Sequence, residues 1–175
     1  MAAQRVILLF DHPAYPPRYR KEGIQVRICE TPVSVNSTLA GIKHLNRLDN
    51  VLARNEWLNS DVQEGIMLDE QGSIIEGTMT NVFLVSDHAL ITPSLERAGV
   101  AGVMRAYLLN MAKKNKVTTR ISEGIGIQQL YDAQEVFVCN SILGVWPVVK
   151  LESKHWPIGS FTRLAQSWIQ DACSD

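Results

Sequence analysis

The chain has 175 residues, of which 46% are hydrophobic and 20% are charged, a composition typical of a globular protein with one sizeable core. Its 17 basic and 18 acidic residues give a formal net charge of −1, so the chain lacks the overall positive field that gathers nucleic acid or an anionic membrane. No apolar run approaches the roughly 18 residues that a membrane-spanning helix needs. Cys29, Cys139 and Cys173 are odd in number and far apart, which favours reduced thiols in the cytoplasm over a disulfide framework or a zinc site.

The opening part of the chain is irregular. Residues 6–10 form a short apolar run that predicts a buried strand. The run is too short for a secretory signal, which usually needs about 7 to 15 apolar residues. Residues 11–17 contain three prolines and predict a connector. Residues 24–28 alternate between apolar and polar side chains, as a half-buried strand does. The polar segment 31–38 then predicts a domain boundary.

The rest of the chain has regular patterns that predict an α+β fold. Apolar residues between positions 43 and 59 follow roughly helical spacing and predict an amphipathic helix. Four short apolar runs predict an antiparallel meander, with strands at 65–68, 73–76, 81–85 and 89–92. The remaining predicted elements are helices at 102–116, 127–131 and 160–172 and strands at 118–121, 135–139 and 145–151.

Lys43 and Glu76 are the two candidate chemical groups. A lysine at the start of a helix is most often a solvated surface residue. The apolar neighbours of Lys43, Ile42 and Leu45, favour instead an amine that emerges near a core, where desolvation favours the neutral, nucleophilic form. Such an amine can bind an aldehyde cofactor covalently and move protons. Glu76 is followed by Gly and small polar residues that can face a ligand. Judged by this local pattern alone, an exposed carboxylate in an ordinary turn is the commoner explanation.

Two further segments are candidates for binding phosphate. Gly99 and Gly102 precede a predicted helix, and free amides at a helix start bind phosphate well. Neither a P-loop nor a dinucleotide fingerprint is present. Asn140 and Ser141 end a predicted strand and offer an amide and a hydroxyl, although judged by themselves they are more often simply a polar strand end. The four histidines are dispersed and lack the spacing of metal ligands, so no metal site is predicted.

Four segments together carry a family resemblance: residues 40–48, 76–83, 98–105 and 139–148. In their order and spacing the chain resembles the fold type IV pyridoxal-phosphate enzymes, and among them the aminodeoxychorismate lyases. The resemblance implies the larger C-terminal domain of that fold, with a mixed, mainly antiparallel sheet and packed helices. It also implies that residues 40–175 form the domain that binds pyridoxal 5'-phosphate. Residues 1–39 are then the end of a smaller N-terminal domain, otherwise missing, and the connector between the domains.

The resemblance also assigns roles to individual residues. Lys43 resembles the catalytic lysine that links to the cofactor aldehyde, and Glu76 resembles the partner of the pyridine nitrogen. The start of the predicted third helix resembles the phosphate-binding backbone of the family, with the strand end at 140–141 on the opposite side of that group. The full predicted set of cofactor-binding residues is Lys43, Glu76, Asn81, Val103, Met104, Asn140 and Ser141.

The implied activity is a lyase reaction that converts 4-amino-4-deoxychorismate to 4-aminobenzoate and pyruvate in folate biosynthesis. Leu48 stands where branched-chain aminotransferases have a tyrosine, which favours the lyase. A D-amino-acid or branched-chain aminotransferase remains an alternative, as does a non-catalytic dimerising fragment. The expected partners are a small-molecule substrate and a second copy of the chain, with no nucleic acid and no membrane.

Overall fold

The computed structural model describes residues 4–57 and 61–172. The helices are α1 (Arg18–Glu22), α2 (Leu48–Arg54), which continues into a 3₁₀ turn at Asn55–Trp57, α3 (Val103–Lys114), α4 (Ile127–Asp132) and α5 (Ser160–Ala172). The strands are β1 (Ile24–Ile28), β2 (Glu64–Leu68), β3 (Ile74–Gly77), β4 (Asn81–Ser86), β5 (Ala89–Pro93), β6 (Thr118–Ser122), β7 (Glu135–Asn140), β8 (Gly144–Leu151) and β9 (Lys154–His155). Short α1 and β9 were not predicted from the sequence. Within the described ranges, no helix is both long and apolar enough to cross a membrane.

The nine described strands form one mixed sheet in the order β3, β2, β1, β8, β7, β4, β5, β6, with β9 beside β8. Strand β1 runs parallel to β2 and β8, and β5 runs parallel to β6. All the other pairs are antiparallel, so the predicted α+β class with a mainly antiparallel sheet is confirmed. Because β1 lies inside this sheet, residues 24–28 pack with the later strands, and the division of the chain at residue 39 stays a prediction.

The predicted single meander is wrong, because the four strands form two separate hairpins. Strands β2 and β3 pair with each other, as do β4 and β5, but β3 and β4 lie five positions apart in the strand order. Only three residues, 78–80, link β3 to β4. The sheet must therefore curl until these two strands approach each other, which brings the end of β3 and the start of β4 to one place.

Both faces of the central strands are covered, which explains their continuous apolar runs. In β4, Val82 and Leu84 belong to one core cluster, whereas Phe83 and Val85 belong to another. The second cluster includes residues of α3 and α5, which pack on that face. The Phe83 ring stacks on that of Phe137 in β7, with their centroids 5.0 Å apart.

Two predicted elements near the start of the chain are corrected by the structure. Residues 6–10 form no strand and are exposed, with Leu9 97% accessible, because no described part of the chain covers them. The predicted helix from residue 43 begins only at Leu48, and its last predicted residues, 58 and 59, lie outside the described ranges. Leu45 is fully exposed and has no core to pack against, so nothing extends the helix in that direction.

Candidate active site

The carboxylate of Glu76 is buried at the end of β3, with the residue only 3% exposed. Its Oε2 accepts a hydrogen bond from the Val100 amide at 2.8 Å, and its Oε1 lies 3.4 Å from Nη2 of Arg47. Burial is the main cause that raises the pKa of Glu76, and the Val100 amide, Arg47, Asn50 and Lys43 act in the opposite direction. The exposed carboxylate favoured by the local pattern is therefore wrong. Glu76 is instead a partly compensated buried acid.

The backbone N–H and C=O of Val100, together called the Val100 peptide below, join three of the four segments that carry the family resemblance. Its amide donates to Glu76, and its carbonyl accepts a hydrogen bond from Nδ2 of Asn81 at 2.8 Å. Gly41, two residues before Lys43, forms a parallel bridge to Val100. The Gly41 amide donates to the Gly99 carbonyl at 2.9 Å. The fold thus assembles segments that are up to 60 residues apart in sequence around one peptide.

Lys43 lies in the irregular segment between this bridge and α2, and its side chain is exposed. It is near enough to Glu76 to lower the pKa of that carboxyl, so the amine and the acid belong to one electrostatic neighbourhood. The apolar neighbours Ile42 and Leu45 are themselves exposed, and the prediction that they mark a core beside the amine is wrong. A cavity of about 140 Å³ opens nearby, lined among others by Arg47 and Asn50.

The start of α3 lies directly after the Val100 peptide. The helix begins at Val103, with Gly102 as its N-cap, so the backbone amides of Val103 and Met104 lie in the first turn, where helices leave amides free of intrahelical partners. A Cβ at Gly102 would stand 2.2 Å from Oδ1 of Asn81, which explains the need for glycine. Arg105 is buried in the same turn and donates to the Pro93 carbonyl at 2.9 Å, which fixes the helix start to β5.

The fourth segment approaches the site from β7. Asn140 donates from Nδ2 to the Met79 carbonyl at 3.0 Å, and its Oδ1 accepts from the Ile142 and Leu143 amides. The side chain of Asn140 therefore holds two turns together. Ser141 follows it and is exposed, so its hydroxyl is accessible on this side of the site.

Three groups that shape the site were not predicted from the sequence, namely Arg47, Glu64 and the Val100 peptide. Arg47 and Val100 both contact Glu76, 29 and 24 positions away in the sequence, which no local pattern reveals. Glu64 did leave a signal, because it is a lone carboxylate at the start of an apolar strand. It is fully buried and accepts hydrogen bonds from the turn between β3 and β4.

Comparison with known proteins agrees with this arrangement. Residues 2–151 match the amino-transferase class IV family, and the chain therefore belongs to that family, as its four motifs predicted. Its homologues are pyridoxal-phosphate-dependent enzymes.

Three relatives illustrate the range of similarity. The aminodeoxychorismate lyase of Vibrio harveyi is 37% identical over 161 residues, which cover 90% of this chain and 59% of that protein. The crystal structure of 4-amino-4-deoxychorismate lyase from Pseudomonas aeruginosa superposes with a TM-score of 0.89 at 44% identity, covering 91% of this chain and 59% of that one. The branched-chain-amino-acid aminotransferase of Salmonella typhimurium is 33% identical over 103 residues, which cover 59% of this chain and 33% of that protein. The chain thus spans about 59% of the length of the two lyases.

Proposed function

We propose that this chain is the cofactor-binding part of an aminodeoxychorismate lyase, which converts 4-amino-4-deoxychorismate to 4-aminobenzoate and pyruvate for folate synthesis. The observation that carries the proposal is the assembly around the Val100 peptide of a buried acid, Glu76, and the segment that bears Lys43. Identities of 37% and 44% to the two lyases, against 33% to the aminotransferase over a shorter stretch, favour this reaction over transamination. Leu48, where branched-chain aminotransferases have a tyrosine, favours it too.

The residues present fit pyridoxal 5'-phosphate. A buried carboxylate suits a cationic ring nitrogen, because a desolvated acid gains most from an ionic partner. The Glu76 carboxylate already has one cationic neighbour, Arg47. We assign Glu76 to that nitrogen and Lys43 to the aldehyde. The amides of Val103 and Met104 bind the phosphate at the start of α3, where the helix dipole favours an anion.

The other proposed binding residues have supporting roles. Asn81 keeps the Val100 peptide in place, and Asn140 keeps the neighbouring turn in place. The Ser141 hydroxyl would be a further donor to the phosphate. When bound, the cofactor supplies an electron sink for a carbanion. Lys43 removes the proton from the amine-bearing carbon of the substrate. In the proposed reaction the bond between the ring carbon and the ether oxygen would break, the electron pair of the lost C–H bond would complete the aromatic ring, and the enolpyruvate that leaves would take up a proton on carbon to give pyruvate.

A second, larger cavity has a size and a charge that suit a substrate with two carboxylates. It has a volume of about 740 Å³ and is lined by aromatic side chains, among them Tyr15 and Trp146, and by the cationic side chains of Arg20, Lys21 and Arg163. Its described lining includes no acidic residue. Tyr15 also reaches the turn after Glu76, with its hydroxyl 3.8 Å from Sδ of Met79. The cavity therefore adjoins the proposed site, and its charge suits an anionic ring.

The decisive assay separates the lyase from the aminotransferase. With pyridoxal 5'-phosphate and aminodeoxychorismate, the lyase releases fluorescent 4-aminobenzoate and an equal amount of pyruvate. An aminotransferase would instead convert the cofactor to its amine form with a branched-chain or D-amino acid. Release of 4-aminobenzoate that disappears in Lys43→Ala supports the proposal, and amine-form cofactor without 4-aminobenzoate contradicts it.

We also propose that the protein forms a homodimer in the cytoplasm. Cys29 and Cys139 are free and buried, and burial raises the pKa of each thiol to about 12, which suits a reducing compartment. An exposed apolar stripe runs along α2 and the segment before it, and such a stripe is typical of a protein interface. Its members are Ile42, Leu45, Leu48, Val51 and Leu52, each at least 50% exposed.

The dimer is tested by light scattering coupled to size-exclusion chromatography. Leu48→Glu places a charge in the middle of the stripe, and we expect it to yield monomers where the parent chain yields dimers. Ile127→Glu is a matched control, because Ile127 is also exposed but lies outside the stripe. A parent chain that is monomeric at micromolar concentration contradicts the proposal.

A further inference from the structure

Glu64 is a fully buried carboxylate at the start of β2, with an exposure of 0%. Its Oε1 accepts hydrogen bonds from its neighbour's amide at 2.8 Å and from the Thr78 amide and hydroxyl at 3.1 and 2.5 Å. Its Oε2 accepts from the Thr80 hydroxyl at 3.0 Å and from the Met79 amide at 3.4 Å. Four of these five donors belong to residues 78–80, the turn between β3 and β4. One carboxylate therefore organises that entire turn.

Among the described residues, Arg54 forms an ion pair with this carboxylate, with its Nη1 3.9 Å from Oε1. That distance is beyond hydrogen-bond length, so Arg54 compensates the charge through space and the hydrogen bonds to Glu64 come from the turn and the Gly65 amide. A desolvated carboxylate is a costly way to close a turn, and apolar packing often stabilises a fold as well or better. We therefore take as our hypothesis that Glu64 serves the specific geometry that it imposes on the turn 78–80.

The turn that Glu64 holds has a proposed cofactor-binding residue at each end. Glu76 lies two residues before Thr78, and Asn81 directly follows Thr80. The turn is tight, since the Gly77 amide donates to the Thr80 carbonyl at 2.7 Å. A Cβ at Gly77 would stand 2.1 Å from the Thr80 hydroxyl oxygen. A small change in the turn must therefore move Glu76 relative to the Val100 amide.

We propose that Glu64 is a positioning residue that sets the orientation of the Glu76 carboxylate toward the cofactor ring, acting through the turn 78–80. The role toward the cofactor rests on the function proposed above. The mechanical part, in which Glu64 fixes Glu76 against Val100, does not depend on the cofactor. The two parts can therefore be tested separately.

Glu64→Gln is the test variant and Glu135→Gln is its matched control. Glu135 is also a buried carboxylate with several donors, but it accepts from the amides of Phe161 and Thr162 and the Thr162 hydroxyl at the start of α5. Both substitutions replace one acceptor oxygen by an NH₂ group, and both are expected to lower the unfolding midpoint. Only Glu64→Gln should disturb the cofactor site.

The reporter in the cofactor-free chain is hydrogen exchange of the Val100 amide, which bonds to Glu76 and makes no bond to Glu64. We expect Glu64→Gln to accelerate this exchange at least about tenfold, because a hydrogen bond to a charged group has about that effect on an opening equilibrium. Glu135→Gln should leave it within about twofold. Faster exchange of the Thr78 and Met79 amides with an unchanged Val100 amide would reduce Glu64 to a local turn-former and overturn the proposal.

The second reporter is the affinity for pyridoxal 5'-phosphate. We expect Glu64→Gln to weaken it at least about tenfold and to shift the visible absorption of the bound cofactor in the same direction as Glu76→Gln. Parent-like affinity and absorption in Glu64→Gln overturn the role toward the cofactor. Failure of the parent chain to bind the cofactor contradicts the proposed function instead, and the exchange reporter still decides the mechanical part.

If Glu64→Gln does not fold, Thr80→Val is the second variant, because it removes a single hydrogen bond to Oε2 of Glu64. We expect it to accelerate exchange of the Val100 amide at least about threefold, and a smaller change overturns the mechanical part.

Discussion

The two sides of the proposed cofactor site are built in opposite ways. On the acid side, Glu76 and Asn81 are 3% and 6% exposed, and both are hydrogen-bonded to the Val100 peptide. On the lysine side, Lys43 is exposed and lies outside the helices and strands. The Gly41 bridge and the contact between Arg47 and Glu76 tie this segment to the acid side.

The contrast indicates which part of the site the fold fixes in advance. In the proposed site the carboxylate would face a ring nitrogen at one position, a role that rigid support favours. The lysine would both hold the aldehyde and move a proton, and these two roles favour a side chain that is free to move. We infer that the acid side is preorganised by the sheet, whereas the lysine reaches its working position through the bond to the cofactor. Substitutions on the two sides should therefore have contrasting effects.

The largest effect is expected for Glu76→Gln on cofactor affinity. The amide keeps the shape of the side chain but loses the ionic hydrogen bond to the ring nitrogen, so binding should weaken about 10- to 100-fold. Titration of the visible absorption of the cofactor measures this change. An affinity within about twofold of the parent would mean that Glu76 does not contact the ring.

The same variant should also change how stability depends on pH. Since burial raises the pKa of Glu76 in the folded chain, folding favours its protonated form. The stabilising contribution is thus complete below the unfolded-state pKa of about 4.5 and is lost as pH rises through the folded-state pKa. The free energy of unfolding of Glu76→Gln should therefore rise relative to that of the parent with increasing pH. Urea unfolding over a pH series tests this, and a difference that is constant or shrinks with pH contradicts it.

Asn81→Ala is expected to have a smaller effect, and mainly on stability. It removes the donor at 2.8 Å from the half-buried Val100 carbonyl, which keeps a second donor in the Gly102 amide at 2.8 Å, so the free energy of unfolding should fall by about 0.5–1.5 kcal/mol, the net value of one hydrogen bond. Urea unfolding of the cofactor-free chain measures the loss. Stability equal to that of the parent would show that water replaces the Asn81 amide and that the acid side is open to solvent.

The smallest effect on stability is expected for Lys43→Ala. Because the side chain is exposed, its removal should change the free energy of unfolding by no more than about 0.5 kcal/mol. Lys114→Ala, another exposed lysine, serves as the reference. A loss well above that of Lys114→Ala would mean that the lysine side is as constrained as the acid side, and the contrast between them would fail.

Sequence patterns predicted the strands and helices after residue 60 well, because there the apolar periodicity coincides with burial on the sheet. They failed at residues 6–10 and 43–47, where apolar side chains are exposed and local hydrophobicity says nothing about what covers them. The motifs also selected the correct segments for the site, but not the contacts that join them. Those contacts arise because the sheet curls, and they depend on Val100 and Glu64, whose partners are remote in sequence.

The central claim is that the amine of Lys43 and the carboxylate of Glu76 serve the same cofactor ring. The most direct test incubates the chain with pyridoxal 5'-phosphate, reduces it with borohydride and locates the attached cofactor by peptide mass spectrometry. We expect attachment at Lys43, none at that peptide in Lys43→Ala, and reduced occupancy in Glu76→Gln. Attachment spread over other exposed lysines, such as Lys113 and Lys114, or unchanged labelling in Lys43→Ala, would contradict the account.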